Sequence, residues 1–408
     1  MKNPDVIIIG GGLAGLTLTA LMAEKNVNVL CIDREKPQET LLDDFDGRTT
    51  AISYGSQKVL QEAGIWSSLE KDCCPIESIR ILDGGSPVLL EFESREVGGK
   101  TFGWIAENRL IRNALYKKIT SQRQAGLIAP AVVSGFSVDE KNAHVFLDDG
   151  TTYNAPLVIG ADGRFSFTRE WMKIGTRQWS YKQRAVICTV IHENAHNNIA
   201  VEHFRPEGPF AILPMCDDKE GKHRSSVVWT EHGTKRHSAL HYTQDVFDAA
   251  LEARFPSCYG AVHQIEKRFS YPLSLVHAHQ YIAPRMALVA EAAHGIHPIA
   301  GQGLNMGFRD LATITELISA ACKNGQDPGS EEVLKQYQQH RRFDNMAMAG
   351  ATDSLNKLFS NDLMPVKLAR KAGLRIVSRL PFAKKLFMNQ AMGAAGLLPS
   401  MIKDRDAA

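Results

Sequence analysis

The sequence has almost no net charge: 47 Lys and Arg stand against 45 Asp and Glu, giving +2. That balance makes no electrostatic case for nucleic acid as a partner. Its seven cysteines are an odd number and include no C-x-x-C pair. A disulfide framework is therefore not expected, and a reduced, cytoplasmic compartment is. No serine-nucleophile G-x-S-x-G motif occurs. Fourteen histidines are present, some at suggestive spacing: His192/His196, His237/His241 and His277/His279. No cysteine or carboxylate pattern completes a site around them, so they read as structural or surface residues and no metal is expected. Long uncharged runs are also scarce. The stretch Val6 to Ala23 has 18 residues without a charge, but Gly10, Gly11 and Gly12 interrupt it, and Lys2 is offset by Asp5. A buried strand, a turn and a helix explain it better than an export signal or a membrane span.

What is present is ordinary globular composition, 44% hydrophobic and 23% charged over 408 residues, enough for two or three structural units. Val6-Ile7-Ile8-Ile9 is a β-branched run of the kind buried on both faces of a parallel sheet. Gly10-Gly11-Gly12-Leu13-Ala14-Gly15 follows and satisfies G-x-G-x-x-G. Leu13, Leu16, Ala20 and Ala23 then recur at helical spacing. Val27 to Ile32 reads as a second strand, ending at Asp33, which falls 18 residues after Gly15. Strand, glycine turn, helix, strand and acid is the order of a dinucleotide-binding unit. Gly10 permits the turn, Gly12 lets backbone approach a pyrophosphate, and Gly15 lets helix and strand pack closely. The helix start, with Leu13 and Ala14, offers N–H groups to phosphate. Asp33 suits ribose hydroxyls. The motif alone does not separate FAD from NAD, and no second copy occurs.

Two further motifs lie far downstream. Leu157 to Gly160 runs into Ala161-Asp162-Gly163. Met286 to Val289 runs into Ala290-Glu291-Ala292-Ala293-His294, then His297-Pro298-Ile299-Ala300-Gly301-Gln302-Gly303-Leu304-Asn305, with an amphipathic helix expected from about 308 to 322. The three motifs together resemble the FAD-dependent aromatic hydroxylases with one nucleotide-binding domain, the para-hydroxybenzoate hydroxylase type. The closer resemblance is to the ubiquinone-biosynthesis hydroxylases. It rests on Asp46 to Ser53, on Gly208-Pro209-Phe210-Ala211-Ile212-Leu213-Pro214, on His294 to Asp310 and on Met392 to Pro399, and it covers nearly the whole chain.

The resemblance implies an α/β fold: a Rossmann-like FAD-binding domain, an inserted antiparallel-sheet substrate domain and a C-terminal helical segment. The expected division is 1–70, 101–175 and 284–350 for FAD, 71–100 and 176–283 for substrate, and 351–408 for the C-terminal region. It implies FAD held by Gly10, Gly12, Leu13, Ala14, Gly15, Asp33 and Arg34, with Arg48 facing the flavin or the site entrance. Arg109 is placed near the phosphates and Asp162 near the pyrophosphate. Glu291 would meet the ribityl chain, and Pro298, Gly301, Gly303, Leu304 and Asn305 would border the ring. Val133 reads either as an adenine contact or as a plain core valine. The third motif departs from the family pattern, Gly-Asp-Ala-Ala-His, by Ala290 and Glu291. Ala290 adds a methyl group where glycine permits close approach.

The implied reaction is hydroxylation of a polyprenylated phenol in ubiquinone synthesis, with O2 as co-substrate and NAD(P)H or another electron donor. No catalytic base stands out, and His297 is only a weak candidate. The alternatives are a hydroxylase for a small polar phenol, a non-catalytic FAD-binding scaffold subunit and, more remotely, a reductase of prenyl double bonds. Residues 355–403 carry nine Lys or Arg and one Asp, interleaved with leucines, methionines and phenylalanines. Such a segment suits peripheral contact with an anionic membrane or a biosynthetic complex, or an ordinary helical cap with a basic face.

Overall fold

A computed structural model describes residues 4–37, 47–84, 90–205, 207–233, 238–296, 301–359, 373–374, 377, 380–396 and 398–403. Strand Val6–Ile9 is completely apolar and buried, and it sits inside a six-stranded sheet. Reading across, the order is Ile282–Ala283, Met286–Leu288, Leu157–Gly160, Val6–Ile9, Val29–Ile32 and Ala125–Ile128. All pairings are parallel except at the edge, where Ile282–Ala283 runs antiparallel. A parallel sheet must be covered on both faces. Helices Leu13–Glu24, Asn108–Ser121 and Gln302–Lys323 pack together on one side. The small sheet of Val133–Val138, Ala143–Leu147 and Thr152–Ala155 covers the other.

The second layer is an eight-stranded sheet ordered His294–Gly295, Val262–Ala278, Thr176–His192, His223–His232, Gly208–Met215, Ile199–Arg205, Ser78–Asp83 and Leu90–Glu93. Its only parallel pairing among the described residues joins Ile199–Arg205 to Ser78–Asp83. A separate core of Val186, Phe210, Trp229 and Phe247 lies under one face. A further three-stranded sheet, Thr49–Ser53, Gly103–Glu107 and Cys74–Ile76, stands between the two layers. Thr49 Oγ1 donates to Ser226 Oγ at 2.8 Å, which ties it to the larger sheet.

The fold is the Rossmann-like unit with an inserted antiparallel sheet that the sequence implied, followed by helices Glu331–Phe359 and Pro381–Ala391. Strand Thr176–His192 runs for 17 residues. The helix expected from about 308 begins at Gln302 instead. Gly301, in a left-handed conformation (φ 62°), starts it, and the glycines at 303 and 307 had hidden its first turns.

Candidate functional site

The glycine turn is built as its spacing requires. Gly10 has φ 106°, and a Cβ there would lie 2.7 Å from the Ala161 carbonyl oxygen. The turn is therefore packed against the Ala161-Asp162 motif. Gly12 differs: a Cβ there would meet nothing within 4 Å. Helix Leu13–Glu24 starts on Gly12 with no side-chain cap, so its first N–H groups face open space, as a phosphate cradle must. The Asp33 carboxylate accepts from the Gly11 N–H and, at 2.7 Å, from the Glu35 N–H. It fixes the loop and retains lone pairs for ribose. Arg34 is exposed beside it. The Ala131 N–H donates to the Asp33 carbonyl at 2.7 Å, which brings the start of strand Val133–Val138 next to this edge. Val133 itself packs on the core that holds Ile7, Ile9, Leu30 and Ile32.

Asp162 spends its carboxylate within the chain. It accepts from Ser166 Oγ at 2.5 Å, Thr168 N at 2.9 Å and Thr168 Oγ1 at 3.0 Å. It thereby anchors helix Phe167–Trp171, and what it presents to the turn is backbone, 2.8 Å from a Cβ built on Gly10. Arg109 pairs with Glu107 at 2.6 Å, and Glu107 also meets Arg224 at 3.2 Å. Arg48 precedes strand Thr49–Ser53, and its carbonyl accepts from Asn108 N at 3.0 Å.

In the third motif, Ala290 occupies a left-handed conformation (φ 51°) and is buried. Glu291 points outward, half exposed, 3.5 Å from Arg164. Arg169 stitches the second motif to the third by donating to the Ala292 carbonyl at 2.8 Å and the Arg164 carbonyl at 2.9 Å. Asn305 does the same for the next loop. Its Nδ2 donates to the carbonyls of Ala51 and Gly301, both at 2.8 Å, and its Oδ1 accepts from Ser53 N at 3.0 Å. Beneath them lies Asp310, fully buried, which accepts from Ala290 N at 3.1 Å, Arg341 Nε at 2.9 Å and Asn345 Nδ2 at 3.0 Å. Its other contact is His294 Nε2 at 2.5 Å. Burial pushes this carboxyl up, but His294 and Arg341 outweigh that and hold it at about 2.

Thr49 to Ser53, Arg164, Arg169, Glu291 and Gly301 to Asn305 converge on one cavity of about 1110 Å³. From these loops it runs along the large sheet to Leu374, Val377, Phe387 and Met388, and most of its lining is hydrocarbon. Gly12, Asp33, Arg109 and Val133 lie outside its walls. Pro298 and His297 fall outside the described residues. Sequence reading missed Arg164, Arg169 and Asp310. The first two stand just after Asp162-Gly163, a cue that was available. Asp310 closes the signature run from His294, but a single acid on a helix usually faces water, so its buried role was not read.

The expectation that no carboxylate pattern accompanies the histidines is corrected at one place. His192-Glu193-Asn194-Ala195-His196 fits H-E-x-x-H, a zinc signature when carried on a helix. Here His192 ends a strand. Its ring nitrogens contact the Asn194 carbonyl at 2.8 Å and Ser225 Oγ at 2.9 Å. Those of His196 contact the Met215 carbonyl at 2.8 Å and Asn198 N at 3.0 Å. Burial lowers the pKa of both rings, and all four nitrogens are occupied by protein.

An uncapped helix start behind a glycine turn, an acid at the end of the next strand and a large apolar cavity fit a dinucleotide-binding protein with room for an apolar ligand. The chain belongs to the family described as FAD binding domain, which matches residues 3–351, and it is an FAD-dependent monooxygenase. It is 45% identical over 398 residues to the ubiquinone hydroxylase UbiL of Rhodospirillum rubrum, covering 98% of this chain and 91% of that protein. It is 30% identical to the 3-demethoxyubiquinol 3-hydroxylase of Escherichia coli, covering 95% of this chain and 98% of the other. Among solved structures, p-nitrophenol 4-monooxygenase PnpA of Pseudomonas putida superposes with a TM-score of 0.80 at 17% identity, over 97% of this chain and all of the other. That last likeness is one of fold.

Proposed function

We propose that this protein hydroxylates the aromatic ring of a polyprenylated phenol on the route to ubiquinone, using O2 and electrons from NAD(P)H or another donor. Bound FAD supplies the oxygen-activating chemistry. The chain's own contribution is to bind, orient and keep water out. The glycine turn with Leu13 and Ala14, together with Asp33 and Arg34, holds the nucleotide end. Arg48, Glu291, Gly301, Gly303, Leu304 and Asn305 frame the ring end. Residues 1–70, 101–175 and 284–350 form the cofactor unit, and 71–100 with 176–283 form the substrate unit.

The observation that carries this reading is the cavity. It extends from the ring-end loops past Ile79, Ile81, Leu90 and Phe92 to the C-terminal helices, which suits an isoprenoid tail behind a phenol head. A small polar phenol would call for a free cationic clamp. Arg164 and Arg169 are instead engaged with Ser274 Oγ at 2.9 Å and with main-chain carbonyls. The test is oxygen transfer to a short-chain prenylphenol, with the product heavier by one oxygen atom. Peroxide formation without product would argue against this substrate class.

The far end of the cavity also supports contact with a membrane surface. Helix Pro381–Ala391 carries Lys385, while its Lys384 is paired with Glu96 at 2.6 Å, and it exposes Phe382 by 84% and Leu386 by 56%. Phe387 and Met388 of the same helix line the cavity. An apolar, basic helix along the wall of an apolar cavity supports entry of a lipid-dissolved substrate from that side. Co-sedimentation with anionic vesicles should fall about tenfold for Phe382→Ser/Leu386→Ser. Equal binding by the variant would remove this part of the proposal. Among the described residues no helix is long and apolar enough to cross a membrane.

A further inference from the structure

The eight-stranded sheet turns one face towards the cavity. Side chains alternate along a strand, and on Ile199–Arg205 the alternate residues Ala200, Glu202 and Phe204 line the space, with Val201 also at its edge. Glu202 pairs in register with Ile81 on one neighbouring strand and Ala211 on the other. Beyond Ala211 the row continues with Val228 and Ile187. All four of these residues line the cavity. Glu202 is thus a carboxyl set in a row of hydrocarbon.

Among the described residues no hydrogen bond or ion pair reaches the Glu202 carboxyl. Helix Glu331–Phe359 contributes Leu355 and Phe359 to this region, with the Phe359 ring 3.7 Å from that of Phe204. Helix Pro381–Ala391 contributes Phe387 and Met388. His203 is next in sequence, but its ring contacts the Gly84 carbonyl at 2.7 Å. Among the described residues the other ionisable side chains on the cavity wall are Arg164, Arg169, Glu291 and Tyr271. The first three are gathered near Ala292 by their mutual contacts. Glu202 is half-buried, open only to this apolar space, and desolvation alone pushes its carboxyl up to about 7.

An unpaired carboxyl in an apolar wall costs stability, and neither packing nor charge balance on this face calls for it. Its place does suggest a use. Thr49 touches Ser226, which pairs with Leu213, and the adjoining strand puts Ala200 in the same row. Glu202 stands one same-face step, about 7 Å, beyond Ala200 and about 10 Å across the sheet from that junction. It therefore shares the cavity with strand Thr49–Ser53, roughly 12 Å along the sheet from that junction, a gap that its own side chain and a substituted aromatic ring together can span.

We infer that Glu202 is the hydrogen-bonding anchor for the oxygenated ring of the substrate, and so decides which ring carbon faces the oxidant. The assignment rests on the prenylphenol reading above. A protonated carboxyl can accept from a ring hydroxyl and donate to a ring ether or carbonyl oxygen; a carboxylate can only accept. The apolar walls hold the tail, and this one group reads the head.

The test uses the full-length, FAD-loaded protein, with Glu202→Leu and the isosteric Glu202→Gln. The probe is a short-chain prenylated phenol. Affinity is read from the flavin absorbance change on titration, and regiochemistry from fragmentation of the product. Glu202→Leu should weaken binding about tenfold, yield a mixture of ring positions and divert more electrons to peroxide. Wild-type affinity should change across pH 6 to 8, and that of Glu202→Gln should not. If Glu202→Leu loses its flavin, the Gln variant decides: a flat pH profile supports the anchor, and a wild-type profile overturns it. If wild type binds and hydroxylates the probe while both variants match it in affinity, position and coupling, the anchor is refuted. If wild type itself ignores the probe, the prenylphenol reading fails instead.

Discussion

Replacing Asp310 with asparagine should unfold the ring-end loops from beneath. The carboxylate is fully buried and meets Arg341, His294, Asn345 and the Ala290 N–H at once. Asparagine keeps the size and one acceptor but removes the charge. Arg341, also buried, is then left with Asp344, 2.8 Å away, as its acid. Breaking one side of a buried ion pair costs about 3–5 kcal/mol, and we expect a loss in that range. Urea unfolding measures it directly, and FAD content measures the consequence for the loops. A control removes both charges: Asp310→Leu/Arg341→Met should lose less than the two single changes combined, by about 1–3 kcal/mol. Acid gives an independent check. The folded carboxyl titrates at about 2, below its ordinary 3.8. A lowered carboxyl stabilises the fold above its unfolded pKa and loses that contribution as pH falls through the folded one. About 2 kcal/mol should therefore disappear between pH 4 and pH 2. If Asp310→Asn costs less than about 1 kcal/mol and retains full flavin, the network does not hold the loops.

Gly12→Val should fold with its melting temperature unchanged, since a Cβ there meets nothing within 4 Å, yet lose FAD, because the added methyls occupy the phosphate space. Retention of FAD would move the cradle elsewhere. Gly307→Ala should destabilise by about 1–3 kcal/mol, because its new Cβ would sit 2.9 Å from the Ala290 Cβ. Ala290→Gly should rescue most of that loss, relieving both the clash and a left-handed alanine. Additive effects in a double-mutant cycle by denaturation would contradict the packing described.

The nucleotide turn was legible in the sequence because each of its parts is local: a β-branched run, glycines at fixed spacing, an acid at the end of the next strand. The third motif could be located but not understood. Ala290 departs from glycine and still takes a positive φ, and the reason lies 17 residues on, where Gly307 leaves room for its methyl group. Asp310, Arg341 and Asn345 meet only through tertiary packing of two helices, so no spacing announced them. At His192 to His196 the sequence reading expected structural histidines, and the strand end puts both rings to structural use although their spacing fits a zinc signature. Glu202 lay in an apolar stretch, Ile199-Ala200-Val201-Glu202-His203-Phe204, with no clean alternation. Which face it joined was decided by strand register, which a single sequence does not carry.

The most direct measurement is product formation by the purified, reduced protein in the presence of O2 and a short-chain prenylphenol, read by mass. The account predicts bound FAD and a product heavier by one oxygen atom, with the oxygen on the aromatic ring. Flavin that binds but yields only peroxide with this substrate, or a protein that takes up no FAD at all, would contradict it.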